Sequence, residues 1–186
     1  MILFHGSKRQ FNKFDYQYIG TGEGANHDVF GFWFLDNIYG AGNHAEIYVN
    51  GPRENAVVYV CKIPDDKPVL TRGIAVSQQP YYELWNRNLP IAISAVGEDR
   101  DWYDLMFKSK AYNHQEYSNK DRLHLLYEAG FVAIHDFELG SGETRYHGNT
   151  TLVMDVDQIK ILDIIHTRSQ KYEQLKYHCQ IALGLR

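Results

Sequence analysis

Apolar positions fall in short runs separated by glycine, proline and polar residues. Ile2-Leu3-Phe4-His5, closed by Gly6-Ser7, predicts a first strand. Residues 8–29 are polar and glycine-rich, and predict a loop with one short helical turn. Phe30 to Leu35 is β-rich by propensity, and Asp36 or Asn37 can then cap a helix running toward Tyr48. Gly40 and Gly42 inside that helix cost about 1 kcal/mol each relative to Ala. They mark either a poor helix or a close approach of its backbone to something else. Ala56 to Ile63 is the clearest strand, closed by Pro64-Asp65-Asp66-Lys67-Pro68. Ser118 or Asn119 caps a helix through Ala129, with Leu123, Leu126 and Tyr127 on one face and Gly130 ending it. Phe131 to Phe137 predicts a strand, and Gly140, Gly142 and Gly148 a loop. Thr150 to Val156 predicts another strand, which Ile159 to Ile165 extends. Residues 168–182 predict a helix within the C-terminal stretch 168–186.

These strands are not regularly separated by helices, which argues against a doubly wound parallel sheet. The pattern predicts one α+β domain over residues 1–186, with a mostly antiparallel core and flanking helices. Residues 71–118, with Pro80, Pro90 and many rings, show no clear order and read as a variable insert.

Composition narrows the function classes. The chain has 186 residues, 44% of them apolar and 14% aromatic, enough for a sizeable core with rings left for planar ligands. Lys and Arg number 19 against 23 Asp and Glu, a net charge of −4, so tracking of a polyphosphate chain is not the main activity. Cys61 and Cys179 form no CxxC or CxxH pair, which excludes a disulfide scaffold and a structural zinc site and predicts free thiols in a reducing compartment. Nine His include no HxH or HExxH, so no metal is expected. The N-terminus lacks a basic region followed by a long apolar run. Apolar stretches such as Ala56 to Cys61 fall far short of the roughly 18 residues that span a bilayer. The expectation is a soluble, cytoplasmic protein.

Three constellations carry candidate chemistry. In Leu3-Phe4-His5-Gly6-Ser7, an imidazole at a strand end can bond a sugar hydroxyl while bare Gly backbone pairs with an amide. In Gly31-Phe32-Trp33-Phe34-Leu35-Asp36, with Tyr39 and His44 downstream, the rings can form a slot for a flat heterocycle. The hairpin from Phe131 to Val156 holds Asp136, Glu138, Glu143, His147 and Thr150 near its loop, where a carboxylate can stabilise positive charge developing on a ribose.

Together these segments, in this order and with the later strand Leu-Val-Met-Asp-Val-Asp-Gln-Ile-Lys (152–160), resemble the ADP-ribosyltransferase superfamily. The likeness is to the branch named for a His-Tyr-Glu triad, which includes diphtheria toxin and the poly(ADP-ribose) polymerases, and within it to small phage and bacterial members. It covers residues 1–70 with gaps and 119–165. Val57 to Leu70 and Leu126 to Phe131 add to it.

The resemblance implies a split, mostly antiparallel sheet whose cleft binds NAD+ as co-substrate. His5 matches the His that binds a ribose hydroxyl, and Gly6 the glycine whose backbone binds the nicotinamide carboxamide, with Ser7 and Phe32 beside them. Trp33 stands at the triad Tyr. His44 lies where the polymerases carry a second stacking Tyr, and Tyr39 is a candidate replacement. The departure is the acid: the position five residues before Asp155 is Thr150. Glu138 is then the first candidate, Glu143 the second and Asp136 the third. The implied activity is mono-ADP-ribosyl transfer to an acceptor that is a protein, a nucleic acid or a small molecule. An NAD+ glycohydrolase and a non-catalytic NAD+-binding module are the alternatives.

Overall fold

A computed structural model describes residues 1–20, 28–47, 55–89, 99–108, 117–138 and 148–185. Seven strands form one sheet: β1 (Ile2–Ser7), β2 (Phe32–Leu35), β3 (Val57–Lys62), β4 (Val69–Thr71), β5 (Ala133–His135), β6 (Thr150–Val153) and β7 (Lys160–His166). Their order across the sheet is β4-β5-β6-β2-β1-β3-β7. Every neighbouring pair is antiparallel except β4–β5. The helices are α1 (Ile38–Ile47), α2 (Tyr82–Asn88), α3 (Asn119–Glu128) and α4 (Gln170–Ala182). This is the α+β class that the spacing of strands and helices predicts.

β3 is apolar without alternation because both of its faces are covered. Val57, Tyr59 and Cys61 join one core with Leu3 and Phe34, while Val58 and Val60 meet α1 and α4 on the other side. Burial pushes the Cys61 thiol up to about 12. The predicted caps form. Asn37 Oδ1 accepts from the Gly40 amide at 2.7 Å, and Ser118 and Asp121 make a reciprocal capping box at the start of α3. Gly42 in α1 reflects close approach: a Cβ there would lie 1.6 Å from the Tyr172 hydroxyl of α4. Gly6 is fixed in the same way, because its Cβ would lie 2.0 Å from the Ala41 carbonyl oxygen of α1.

Two expectations are corrected. Ile159 to Ile165 does not extend the strand from Thr150. Asp155 accepts from the Asp157 amide at 3.1 Å and caps a 3-10 turn over Val156–Gln158, and β7 then pairs with β3 at the opposite edge of the sheet. The strand expected over Phe131 to Phe137 shortens to β5, because Asp136 adopts φ 55° and turns the chain. Within the stretch 71–118, which shows no clear pattern in the sequence, α2 and a π-turn over Asp104–Lys108 place Trp85, Trp102 and Met106 in the core beneath β4, β5 and β6. β4 has no clear sequence signal. Beyond it, the buried Gln79 amide does the work of a neighbouring strand, accepting from the Thr71 amide at 2.9 Å and donating to the Thr71 carbonyl at 2.7 Å.

The sheet has one weak seam. β1 pairs with β3 along all six of its residues, and β2 with β6 along all four. Between β1 and β2 only Phe4↔Leu35 is in register, so the two strands part toward Ser7 and Phe32. The expected split is therefore a seam inside one continuous sheet.

Candidate functional site

The seam is where His5 sits. Its ring packs against Phe14 at 5.2 Å and Phe34 at 5.4 Å between centroids, with Phe32, Phe11 and Tyr59 slightly further away. Its Nδ1 lies 2.7 Å from the Trp33 carbonyl oxygen, a backbone group of β2. A carbonyl only accepts, so Nδ1 carries the proton and Nε2 is left as an acceptor. Desolvation lowers the His5 pKa to about 4, the Trp33 bond opposes this, and nearby His44 adds to the lowering. The ring is neutral at pH 7. The Nε2 atom has no hydrogen-bond partner among the described residues and can take a hydrogen bond from a hydroxyl.

The other expected ligand contacts divide between the two faces of the sheet. Strand alternation puts Phe32 and Phe34 with His5, and Trp33 on the opposite face, in the core that holds Leu152 and Ile134. His5 and Trp33 are thus linked through a carbonyl and not through facing rings. Ser7 Oγ donates to the Arg9 carbonyl at 2.8 Å in a local turn. On α1 the two candidate stacking residues diverge. His44 lies within electrostatic range of His5, whereas Tyr39 lies near the Tyr172 hydroxyl beside α4. The packing of α1 already accounts for glycine at position 6, so its residue type by itself argues for no ligand.

The acids lie on a turn that is held from both sides. The Phe137 amide donates to the Thr150 carbonyl at 3.2 Å, and the Glu138 amide donates to Thr150 Oγ1 at 3.2 Å. From the other side the Arg72 amide donates to the His135 carbonyl at 3.1 Å, and the Arg72 guanidinium to the Phe137 carbonyl. Glu138 is exposed and one hydrogen bond from Thr150, the position where the resemblance calls for an acid. Thr150 pairs with Leu35, on the face of the sheet that carries Trp33. Asp136 occupies the apex of the turn. Glu143 and His147 lie outside the described residues.

Sequence reasoning missed the group beside that turn. The Trp33 ring meets Phe137 edge-on at 5.3 Å, and Phe137 meets Tyr103 at 5.9 Å. Tyr103 stacks on Phe107 at 4.6 Å, and the Arg72 guanidinium lies over Tyr103 at 3.8 Å. Thr71-Arg72-Gly73 reads only as the end of a run, and Tyr103 and Phe107 fall in the stretch without pattern. No signal in the sequence brings them together.

A groove of about 640 Å³ between residues 12–16 and 156–161 lies elsewhere and includes none of the predicted site residues. No helix among the described residues is long and apolar enough to cross a membrane. Comparison with family models, with curated proteins and with solved structures found no match to this chain.

Proposed function

We propose that this chain is a mono-ADP-ribosyltransferase that uses NAD+ as co-substrate. The observation that supports this best is the seam between β1 and β2. There a neutral imidazole with an open acceptor nitrogen stands beside strand backbone that has no ladder partner across the gap. In this reading His5 Nε2 accepts from a ribose hydroxyl and the backbone of Gly6 pairs with the carboxamide, while Trp33 and Glu138, which belong to the opposite face of the sheet, meet the nicotinamide ribose across the gap where β1 and β2 part. In the reaction the ribose–nicotinamide C–N bond breaks, its electron pair leaves with the nicotinamide nitrogen, and an acceptor nucleophile bonds to the ribose carbon and gives up its proton. Glu138 supplies negative charge where positive charge develops on the ribose. Polymer synthesis is set aside because the polymerases of the family rely on a Glu at the place of Thr150. A cytoplasmic setting belongs to the same reading and is supported by the free thiols of Cys61 and Cys179.

Glu138→Gln tests the reading. The charge is needed most in the transition state, so turnover should fall about a hundred- to a thousand-fold while NAD+ affinity changes little. Asp136→Asn and Glu143→Gln should cost much less. Turnover is read as nicotinamide release, and as labelling of a whole-cell lysate by biotinylated NAD+, followed by separate protease and nuclease digestion. Wild-type rates in all three variants would overturn the assignment of the acid. Nicotinamide release without a labelled acceptor would identify a glycohydrolase.

Thr150 favours a second reading, an NAD+-binding module without turnover. Its hydroxyl serves the backbone of the turn instead of a substrate. Calorimetric NAD+ binding with neither release nor labelling would establish that reading.

A further inference from the structure

The open nitrogen of His5 lies under a cover. Five aromatic rings surround the imidazole, and two of them, Phe11 and Phe14, come from residues 8–16, the segment that leaves β1. Phe14 is buried, with its ring centroid 5.2 Å from those of His5, Phe32 and Phe34. The lowered pKa of His5 reports the same enclosure. An acceptor nitrogen without a donor in such surroundings costs free energy, and an apolar side chain would fill the space without that cost. Packing therefore does not account for an imidazole here. A ligand hydroxyl brought to Nε2 would complete it.

The cover is held differently from the sheet beneath it. None of residues 8–16 pairs in the sheet. Among the described residues, one side chain ties the backbone of this segment to a strand. The Tyr59 hydroxyl accepts from the Phe11 amide and donates to the Phe11 carbonyl at 3.0 Å, and the Phe11 ring stacks on Tyr59 at 4.3 Å. Tyr59 is itself fully buried and paired in β3 with His5 on one side and Ile164 on the other, so it is a fixed post. When the segment lifts, water takes over both backbone groups of Phe11 and no ladder has to break. Openings of that kind lie below global unfolding in free energy.

We propose that residues 8–16 close over His5 and have to lift before a ligand hydroxyl reaches Nε2, and that the Tyr59 hydroxyl is the latch. This rests on the reading of His5 as a ligand-binding group, but its main test needs no NAD+. The full chain is acylated with diethyl pyrocarbonate at pH 7 and each His is followed by peptide mass spectrometry. The reagent requires a neutral, accessible ring nitrogen, and the exposed His166 and His178 serve as internal standards. His5 should react at least about tenfold more slowly than either standard. Tyr59→Phe keeps the stacked ring, removes both bonds to Phe11 and should raise the His5 rate about tenfold, the equivalent of one hydrogen bond. Exchange of the Phe11 amide should accelerate in parallel. In the wild type, the protection of His5 and of the Phe11 amide should agree and should both fall below that of the β3 amides. A His5 that reacts as fast as His178, or a His5 rate that Tyr59→Phe leaves unchanged, would overturn the proposal. So would equal protection of His5, the Phe11 amide and the β3 amides, because His5 would then be reached only by global unfolding. Where the chain binds NAD+, association should quicken with the His5 rate in Tyr59→Phe, and an unchanged association rate would take the segment off the path of the ligand and overturn the proposal. A chain that never turns NAD+ over defeats the transferase reading and leaves the cover to be judged by acylation and exchange alone.

Discussion

The two sides of the seam are built differently. On one side β1, β3 and β7 run six to seven residues each and are paired almost throughout by backbone ladders, with α1 and α4 on one face. On the other side β4, β5, β6 and β2 run only three or four residues. There side chains finish what short ladders leave open. Trp102 Nε1 donates to the Thr71 carbonyl at 3.0 Å, Asn88 to the Ala129 carbonyl at 2.7 Å, and Arg122 to the carbonyls of Met106 and Phe107. The ladder side is held by backbone pairing between long strands and tolerates little change in shape. The other side depends on side-chain bonds to backbone carbonyls, and it carries Trp33, Thr150 and Glu138.

Gly6→Ala should damage the ladder side most. The new Cβ would collide with the backbone of α1 and force the helix off β1, at a cost of at least about 3 kcal/mol. Thermal denaturation should show a large drop in Tm, and an unchanged Tm would mean that α1 is not seated on β1. The seam itself responds to pH. Unfolded His5 titrates at its ordinary 6.5 and folded His5 at about 4, so between these values the unfolded chain binds more protons. Stability should therefore fall as pH is lowered from 6.5 toward 4, by about 2–3 kcal/mol from this residue. Denaturant titrations at pH 7 and pH 4.5 should show that difference, and His5→Gln should shrink it. The smallest effect belongs to the side that depends on side-chain bonds. Ser118→Ala removes the α3 cap and should cost about 1 kcal/mol, read as a shift in denaturant midpoint with unchanged slope.

The same contrast explains what could be read from the sequence. β1, β3, α1, α3 and α4 announce themselves through caps and continuous apolar runs, which are local signals. β4 does not, because three residues after Pro68 become a strand only when Gln79 and β5 arrive from elsewhere. The apolar run of β7 is visible in the sequence but its place is not, because its pairing with β3 depends on the turn that Asp155 imposes. At the candidate site the resemblance offers Glu138 as the first acid, and its hydrogen bond to Thr150 appears only once β5 and β6 are paired. The opposite facing of His5 and Trp33 follows from alternation in β2 once the pairing of β1 with β2 is known, and that pairing is long-range. Arg72 and Tyr103 meet only through tertiary packing.

The single rung Phe4↔Leu35 also makes the molecule mechanically anisotropic. Shearing β1 away from β3 loads six paired positions at once, and they share the force. Pulling β1 away from β2 loads one rung, the bond from His5 to the Trp33 carbonyl and the side chains of Leu3, Phe14 and Phe34 that share a core across the seam. Resistance along β1–β3 therefore comes from directional backbone bonds, and resistance across the seam from side-chain packing.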